Sequence, residues 1–273
     1  MEIFKQEFML IAMAAGGLAA IACCYLGVYV LLRRVVFVGV SIAQVSSGGV
    51  ALGILIGLSP VLCSTVLTTI VVLLVAFCLA GRRIPREAVL GVIYVAGAAG
   101  AFLFLAGSAQ AEAQTMNILF GDILTIEKGH LWLALGVFIP ALLIQLLFYK
   151  EFLLVSFDPE TAAAMGYNSR LWDSLFFVSL GAVISTAIML VGVLVVFAFL
   201  VVPATAALLL ANRLKTVLVV SVVLGLLATL FGFYFSYRGN LPPGPTISAA
   251  TCVLLLLALV KPLIARFVRP GKV

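Results

Sequence analysis

Charge is what this 273-residue chain has least of: 10% of its residues are Asp, Glu, Lys or Arg, against roughly 25% in an ordinary soluble domain. There is no polar shell to clothe a water-soluble globule. Histidine occurs once, at His130. No HExxH and no pair of carboxylates lies inside an apolar run, so the constellations that metal-dependent hydrolysis or intramembrane proteolysis requires are missing. A Walker A sequence is also missing, which excludes ATP hydrolysis by the usual phosphate-cradling loop. The chain is therefore not read as an enzyme. The N-terminus lacks a basic stretch followed by a short apolar core and a small-residue cleavage site, so the first apolar run is read as a retained span. Cys23, Cys24, Cys63, Cys78 and Cys252 show neither CxxC nor a secretory spacing. They read as small apolar filler.

What is present is hydrocarbon. Of all residues 65% are hydrophobic and the mean hydropathy is +1.33. Apolar runs of about 20 residues, long enough to cross ~30 Å of bilayer core, recur along the whole chain. In lipid every backbone polar group must be satisfied internally, which leaves helix bundles or closed barrels. The runs are continuous and not alternating, and that selects helices. Nine spans are predicted, at 9–32, 37–58, 60–80, 88–107, 130–149, 171–189, 191–211, 216–236 and 246–264, with the least distinct break near Leu190. The expectation is an all-α, polytopic transmembrane helix bundle of about 8–9 spans forming a single domain over residues 1–273.

The net charge of +6 and pI near 9.2 read as a topology signal and not as a nucleic-acid footprint, because the basic residues sit between the runs. Thirteen of them, Arg33, Arg34, Arg82, Arg83, Arg86, Lys150, Arg170, Arg213, Lys215, Lys261, Arg266, Arg269 and Lys272, fall on one side of the nine-span arrangement. Lys5, Lys128 and Arg238 fall on the other. The positive-inside rule then puts the N-terminus outside and the C-terminus in the cytoplasm. Gly16, Gly17, Gly48, Gly49, Gly53 and Gly57 suit close helix approach. The stretch 109–129, with Glu112, Asp122, Glu127 and Lys128 around an apolar centre, reads as an outer amphipathic segment; its acids either attract a cation or are simply solvated.

Between the fifth and sixth spans lies Phe157-Asp158-Pro159-Glu160-Thr161-Ala162-Ala163-Ala164-Met165-Gly166. Asp158 can cap the free N–H groups of a short helix, Pro159 suits its first position, Glu160 suits the positive end of its dipole and Gly166 suits a left-handed stop. Such a helix either transmits a push from a soluble motor or is no more than an ordered loop. Pro203 interrupts an apolar run and Gly192 stands at its start; a kink there serves gating or packing alike. Asn240-Leu241-Pro242-Pro243-Gly244-Pro245 is predicted to be a rigid outer turn.

The stretches FDPETAAAMG (157–166), VGVLVVFAFLVVPATAALLLA (191–211), LGVYVLLRRVVFVGVSIAQVSSGGVALG (26–53), LFGDIL (119–124) and NLPPGPTI (240–247), in this order and spacing, resemble the zinc/manganese/iron group of ATP-binding-cassette (ABC) permeases over roughly residues 10–265. The resemblance implies a homodimer around one pathway in a bacterial-type plasma (inner) membrane. It further implies a pair of cytoplasmic ATPase subunits that hydrolyse ATP, and an extracellular or periplasmic metal-binding protein that delivers the ion. The segment containing Phe157, Asp158, Pro159, Glu160, Ala163 and Gly166 would be the coupling helix, and no cofactor would be bound by the chain itself. In that family the second span carries an Asp and, four residues on, a His; here those positions are Val40 and Gln44. Val has no donor atom and an amide is a poor ligand for zinc. A residual polar strip of Gln44 and Ser47, on the face that holds Val40 and with Ser41 and Ser46 nearby, either lines the pathway with neutral oxygens or serves helix–helix hydrogen bonding. A divergent permease for another substrate, a transporter not driven by ATP, and a membrane scaffold are the competing expectations.

Overall fold

The structure is a computed structural model that describes residues 7–78, 86–106 and 128–268. Eleven helices and no strands occur among them. They are α1 (Glu7–Leu32), α2 (Val36–Ile56), α3 (Pro60–Cys78), α4 (Arg86–Ala106), α5 (Lys128–Leu147), α6 (Tyr149–Phe157), α7 (Pro159–Ala164), α8 (Ser169–Val191), α9 (Val193–Leu210), α10 (Leu214–Gly239) and α11 (Pro243–Val268). Each predicted span coincides with one long helix. Eight of these helices are long and apolar enough to cross a membrane; α3 carries a shorter apolar stretch, Leu62–Leu74. The all-α membrane-bundle reading is borne out. The predicted outer segment, including 119–124, lies almost wholly outside the described residues.

Helix α8 joins two groups. On one side α2 packs along α3 and α4; on the other α1, α9, α10 and α11 pack on one another, and α8 touches α1, α2, α3 and α5. The centre is filled by Tyr29, Phe176, Leu180, Ile184, Phe199 and Leu200, all fully buried. Outward faces of α3, α4, α5, α10 and α11 expose large apolar residues such as Val66, Leu103, Trp132, Val223 and Leu256, the arrangement expected of a bundle whose solvent is lipid.

Small residues set the distances between helices. A Cβ on Gly27 of α1 would stand 2.2 Å from the Leu200 carbonyl oxygen of α9, and one on Gly97 of α4 would stand 2.8 Å from the Val45 nitrogen of α2. Backbones are in contact at both points, which yields dispersion energy where lipid offers no hydrophobic drive. Cys24 fits the notch left by Gly225, whose Cβ would lie 2.4 Å from the Cys24 sulfur. Cys23 and Cys24 are buried, as small apolar filler should be.

The breaks between helices follow local chemistry. Gly192 ends α8 and starts α9 at φ 85 and ψ 162, a region that side chains other than glycine's essentially do not enter. At the end of α1, Arg34 adopts φ 56, while its N–H bonds the Leu31 carbonyl and that of Val35 bonds the Val30 carbonyl. This Schellman closure leaves Arg33, Arg34 and Val35 between two long helices. Asn240 is likewise left-handed, at φ 48, and caps α10; Leu241 N–H then bonds the Ser236 carbonyl and the Ser236 hydroxyl bonds the Leu241 carbonyl.

Gly27→Val is expected to destabilise the protein by about 3 kcal/mol, the upper end of overpacking costs, because a backbone carbonyl cannot turn aside. Gly91→Ala, with nothing within 4 Å of the added carbon, is expected to leave stability unchanged or raise it slightly. Thermal unfolding in detergent distinguishes them; equal melting points would contradict the backbone contact.

Candidate functional site

Two sets of predicted residues sit on different parts of the bundle. The first is on α2. Val40 and Gln44 are one turn apart and both half-buried, with Ser47 on the same face but buried. The Gln44 backbone is held against α4, since a Cβ on Gly97 would stand 2.9 Å from its carbonyl carbon. Ser41 is fully buried, and its hydroxyl bonds the Leu90 carbonyl of α4 at 2.7 Å and the Phe37 carbonyl of its own helix at 2.8 Å. The Ser46 hydroxyl meets that of Ser64 on α3 at 2.6 Å. The serine hydroxyls at 41 and 46 are thus engaged in helix contacts, while Val40 and Gln44 keep a partly open face.

The second set, Phe157–Gly166, runs from the last residue of α6 through α7 to the turn after it. Asp158 caps α7 with two hydrogen bonds: its carboxylate accepts from the Thr161 N–H at 3.0 Å and from the Thr161 hydroxyl. These bonds hold the Asp158 carboxyl below the ordinary carboxylate range. Pro159 stands at the first turn and Glu160 beside it. At the other end Gly166 takes φ 87; its N–H bonds the Ala163 carbonyl and the Tyr167 N–H bonds the Ala162 carbonyl, a complete Schellman stop. Ala162 of this short helix is buried. Ala163 and Glu160 are exposed, and Phe157 and Met165 flank the helix at 64% and 67% exposure.

Gly192 and Pro203 lie on a third element. Pro203 is inside α9, three residues beyond Leu200, whose carbonyl meets Gly27. The proline therefore falls where α9 is pressed against α1. His130 is exposed at the start of α5, remote in sequence and in helix position from Gln44. Among the described residues no group of three or more His, Cys, Asp or Glu side chains could hold a metal ion.

A family model described as the ABC 3 transport family matches residues 5–262. This chain belongs to that family. The manganese transport system membrane protein MntC of Halalkalibacterium halodurans is 28% identical over 94% of this chain and 88% of its own length. The manganese import system permease protein ScaB of Streptococcus parasanguinis is 29% identical over 93% of this chain and 89% of its own. Among solved structures, PsaBC from Streptococcus pneumoniae in complex with Fab contains a chain 26% identical, with a TM-score of 0.84, covering 94% of this chain and 92% of that one. The resemblance on which the sequence reading rested is thereby confirmed, and the chain is a multi-pass membrane protein with the fold of an ABC permease.

Sequence reasoning missed one cluster. Arg33 was legible as a topology charge only, yet it bonds Ser156 of α6 and Asp173 of α8. The spacing Tyr25, Tyr29, Arg33 on one face of α1 was the available signal. Gln145 was missed too: it is fully buried in α5, and its amide nitrogen donates to the Ser179 hydroxyl at 3.2 Å.

Two outcomes follow. Because the Asp158 carboxyl titrates below its unfolded value, the stability its cap contributes is present above the unfolded pKa and is lost as pH falls through the lowered folded value. The melting midpoint in detergent should therefore be insensitive to mild acid and fall only below the ordinary carboxylate range. Asp158→Asn, which still caps, should abolish that acid step; the melting midpoint measured across pH reads it. Separately, Gly192→Ala should cost about 1–3 kcal/mol of backbone strain, seen as a lower melting midpoint; an unchanged midpoint would refute the positive-φ break.

Proposed function

We propose that this chain is the membrane-spanning permease subunit of an ABC importer for a divalent transition-metal ion, manganese first, with zinc and iron(II) as the other members of the cargo class. The observation that carries the reading is the family match along 5–262, joined to relatives whose names specify manganese transport. The chain works as a homodimer around one pathway, in the bacterial-type plasma membrane, with most of its basic residues on the cytoplasmic side.

Because it has no nucleotide-binding motif of its own, the work comes from a cytoplasmic ATPase pair, and an external metal-binding protein delivers the ion. The capped helix α7 is the coupling helix. Its rigidity, closed by Asp158 at one end and Gly166 at the other, suits it to move as a unit, and the exposed Phe157 and Met165 are the apolar surfaces an ATPase groove would cover. Val40, Gln44 and Ser47 are assigned to the pathway side of α2, while Ser41, whose hydroxyl bonds the Leu90 carbonyl of α4, holds that helix in place from its packed side. Gln44 offers the passing ion a neutral oxygen, a weak and transient contact suited to conduction. Gly192 and Pro203 supply the break and the bend about which α8 and α9 shift.

A second reading, a divergent permease for a different cargo, is favoured by Val40 and Gln44 themselves, since neither offers a strong ligand to a bare transition metal.

The test is uptake into proteoliposomes holding this permease, its ATPase and its binding protein, with manganese, zinc and iron(II) presented separately and ATP supplied or withheld. ATP-dependent accumulation of one metal is the expected outcome. Failure with all three, from an assembled and ATP-hydrolysing complex, would favour the second reading. Gln44→Leu is expected to lower uptake about tenfold, the scale of one lost polar contact. Unchanged uptake would remove Gln44 from the pathway.

A further inference from the structure

Arg33 is a buried cation in a chain that has few charges of any kind. Its side chain is 7% exposed and it stands at the very end of α1. The guanidinium donates from Nη1 to the Asp173 carboxylate on α8 and from Nε to the Ser156 hydroxyl on α6, at 2.9 Å. It also lies 4.2 Å from the centre of the Phe176 ring. Three elements meet at one side chain, and two of them, α6 and α8, are those that flank α7.

The surroundings make this junction stiff on both sides. Toward α7, Ser156 donates in turn to the Phe152 carbonyl, and the Phe152 and Phe148 rings each pack 5.2 Å from Trp172 of α8. Toward the pathway, the left-handed Arg34 closes α1 and the chain enters α2 at Val36, so a displacement of Arg33 is handed to the helix that carries Val40 and Gln44. Gly39 of α2, the neighbour of Val40, rests on Leu200, the same residue that Gly27 of α1 touches.

A topology signal needs a charge at the membrane surface and does not need it buried. Packing alone is met at least as well by apolar residues of similar volume, without the desolvation that a buried ion pair incurs. What the guanidinium adds is a planar fork that holds two partners on different elements at fixed angles, which an ammonium cannot do. We propose that Arg33 is a positioning residue for transport: the joint through which motion of α7 reaches α1 and, across the turn, the pathway face of α2. This rests on the reading of α7 as the helix that docks the ATPase.

The experiment uses the full chain assembled with its ATPase and binding protein in proteoliposomes, and records Mn(II) uptake and ATP hydrolysis on the same sample. Two variants are compared. Arg33→Lys keeps the charge beside Asp173 and loses the fork; Ser156→Ala removes the α6 contact and leaves the ion pair intact, so it tests the joint even if the lysine variant fails to fold. Uptake per ATP hydrolysed is expected to fall about tenfold, the scale on which mutations along a coupling network act, while hydrolysis and the melting midpoint of Ser156→Ala stay near those of the unmodified complex. A merely structural role would lower uptake and hydrolysis in proportion, together with the melting midpoint. That result, or an unchanged ratio in Ser156→Ala, would overturn the proposal. Absence of ATP-dependent uptake by the unmodified complex would instead overturn the importer reading, and the joint with it.

Discussion

The approach of α1 to α9 at Gly27 is the constraint on which the rest of the bundle depends. With a Cβ position 2.2 Å from the Leu200 carbonyl oxygen, the two backbones leave no room for a side chain, and only a glycine satisfies the contact. Lipid chains are as apolar as leucine, so burying apolar surface gains little inside a membrane. Helices there associate through dispersion and hydrogen bonding, both of which need short distances. Once α1 and α9 are fixed together, Leu200 becomes a common seat for Gly27 and Gly39, α10 is drawn onto α1 through Cys24 and Gly225, and α11 closes on α10 where Ile247 meets Gly232.

The few polar groups follow the same necessity. Hydroxyls that have no partner in hydrocarbon are turned back onto the helix that carries them: Thr205 bonds the Val201 carbonyl, Thr186 that of Ala182 and Thr229 that of Gly225. Others stitch neighbouring helices, as Ser221 does to the Cys24 carbonyl of α1. Against this economy Arg33 stands out, because its charge is brought inside and given partners on two other elements. The same end of the bundle carries α7, whose two caps are complete within a stretch of six residues. The capped helix and the Arg33 contacts lie next to one another, and α2 begins on the far side of the turn.

Much of this was legible without coordinates. The nine long helices follow from run length alone, because a bilayer of ~30 Å sets the number of apolar residues needed to cross it. The short helix α7 was legible because capping is local: Asp158 and Gly166 lie within a few residues of the groups they satisfy. The break at Gly192 was foreseen only to within a few residues, since apolar sequence continues through it and its marker is a backbone angle. The spacing of Tyr25, Tyr29 and Arg33 marks a polar face, but the partners Ser156 and Asp173 were not legible, because they lie 123 and 140 residues away and no periodicity spans such separations. The serines of α2 were read two ways from sequence, and the placement of Leu90 and Ser64 opposite Ser41 and Ser46 shows that both hydroxyls bond neighbouring helices.

By itself, then, the sequence determined that the solvent is lipid, that the backbone is helical, where the long helices lie to within a few residues, and, through ordered motifs, the family to which the chain belongs. These depend on composition and on contacts within a few residues. Only the tertiary structure decided which glycines touch which carbonyls, which serines are consumed in packing, and that the side chain of a basic residue at a loop is buried against partners on two other helices. Those outcomes require the distance between helices remote in the chain, and that distance is set by the fit of two surfaces together and is written in neither one alone.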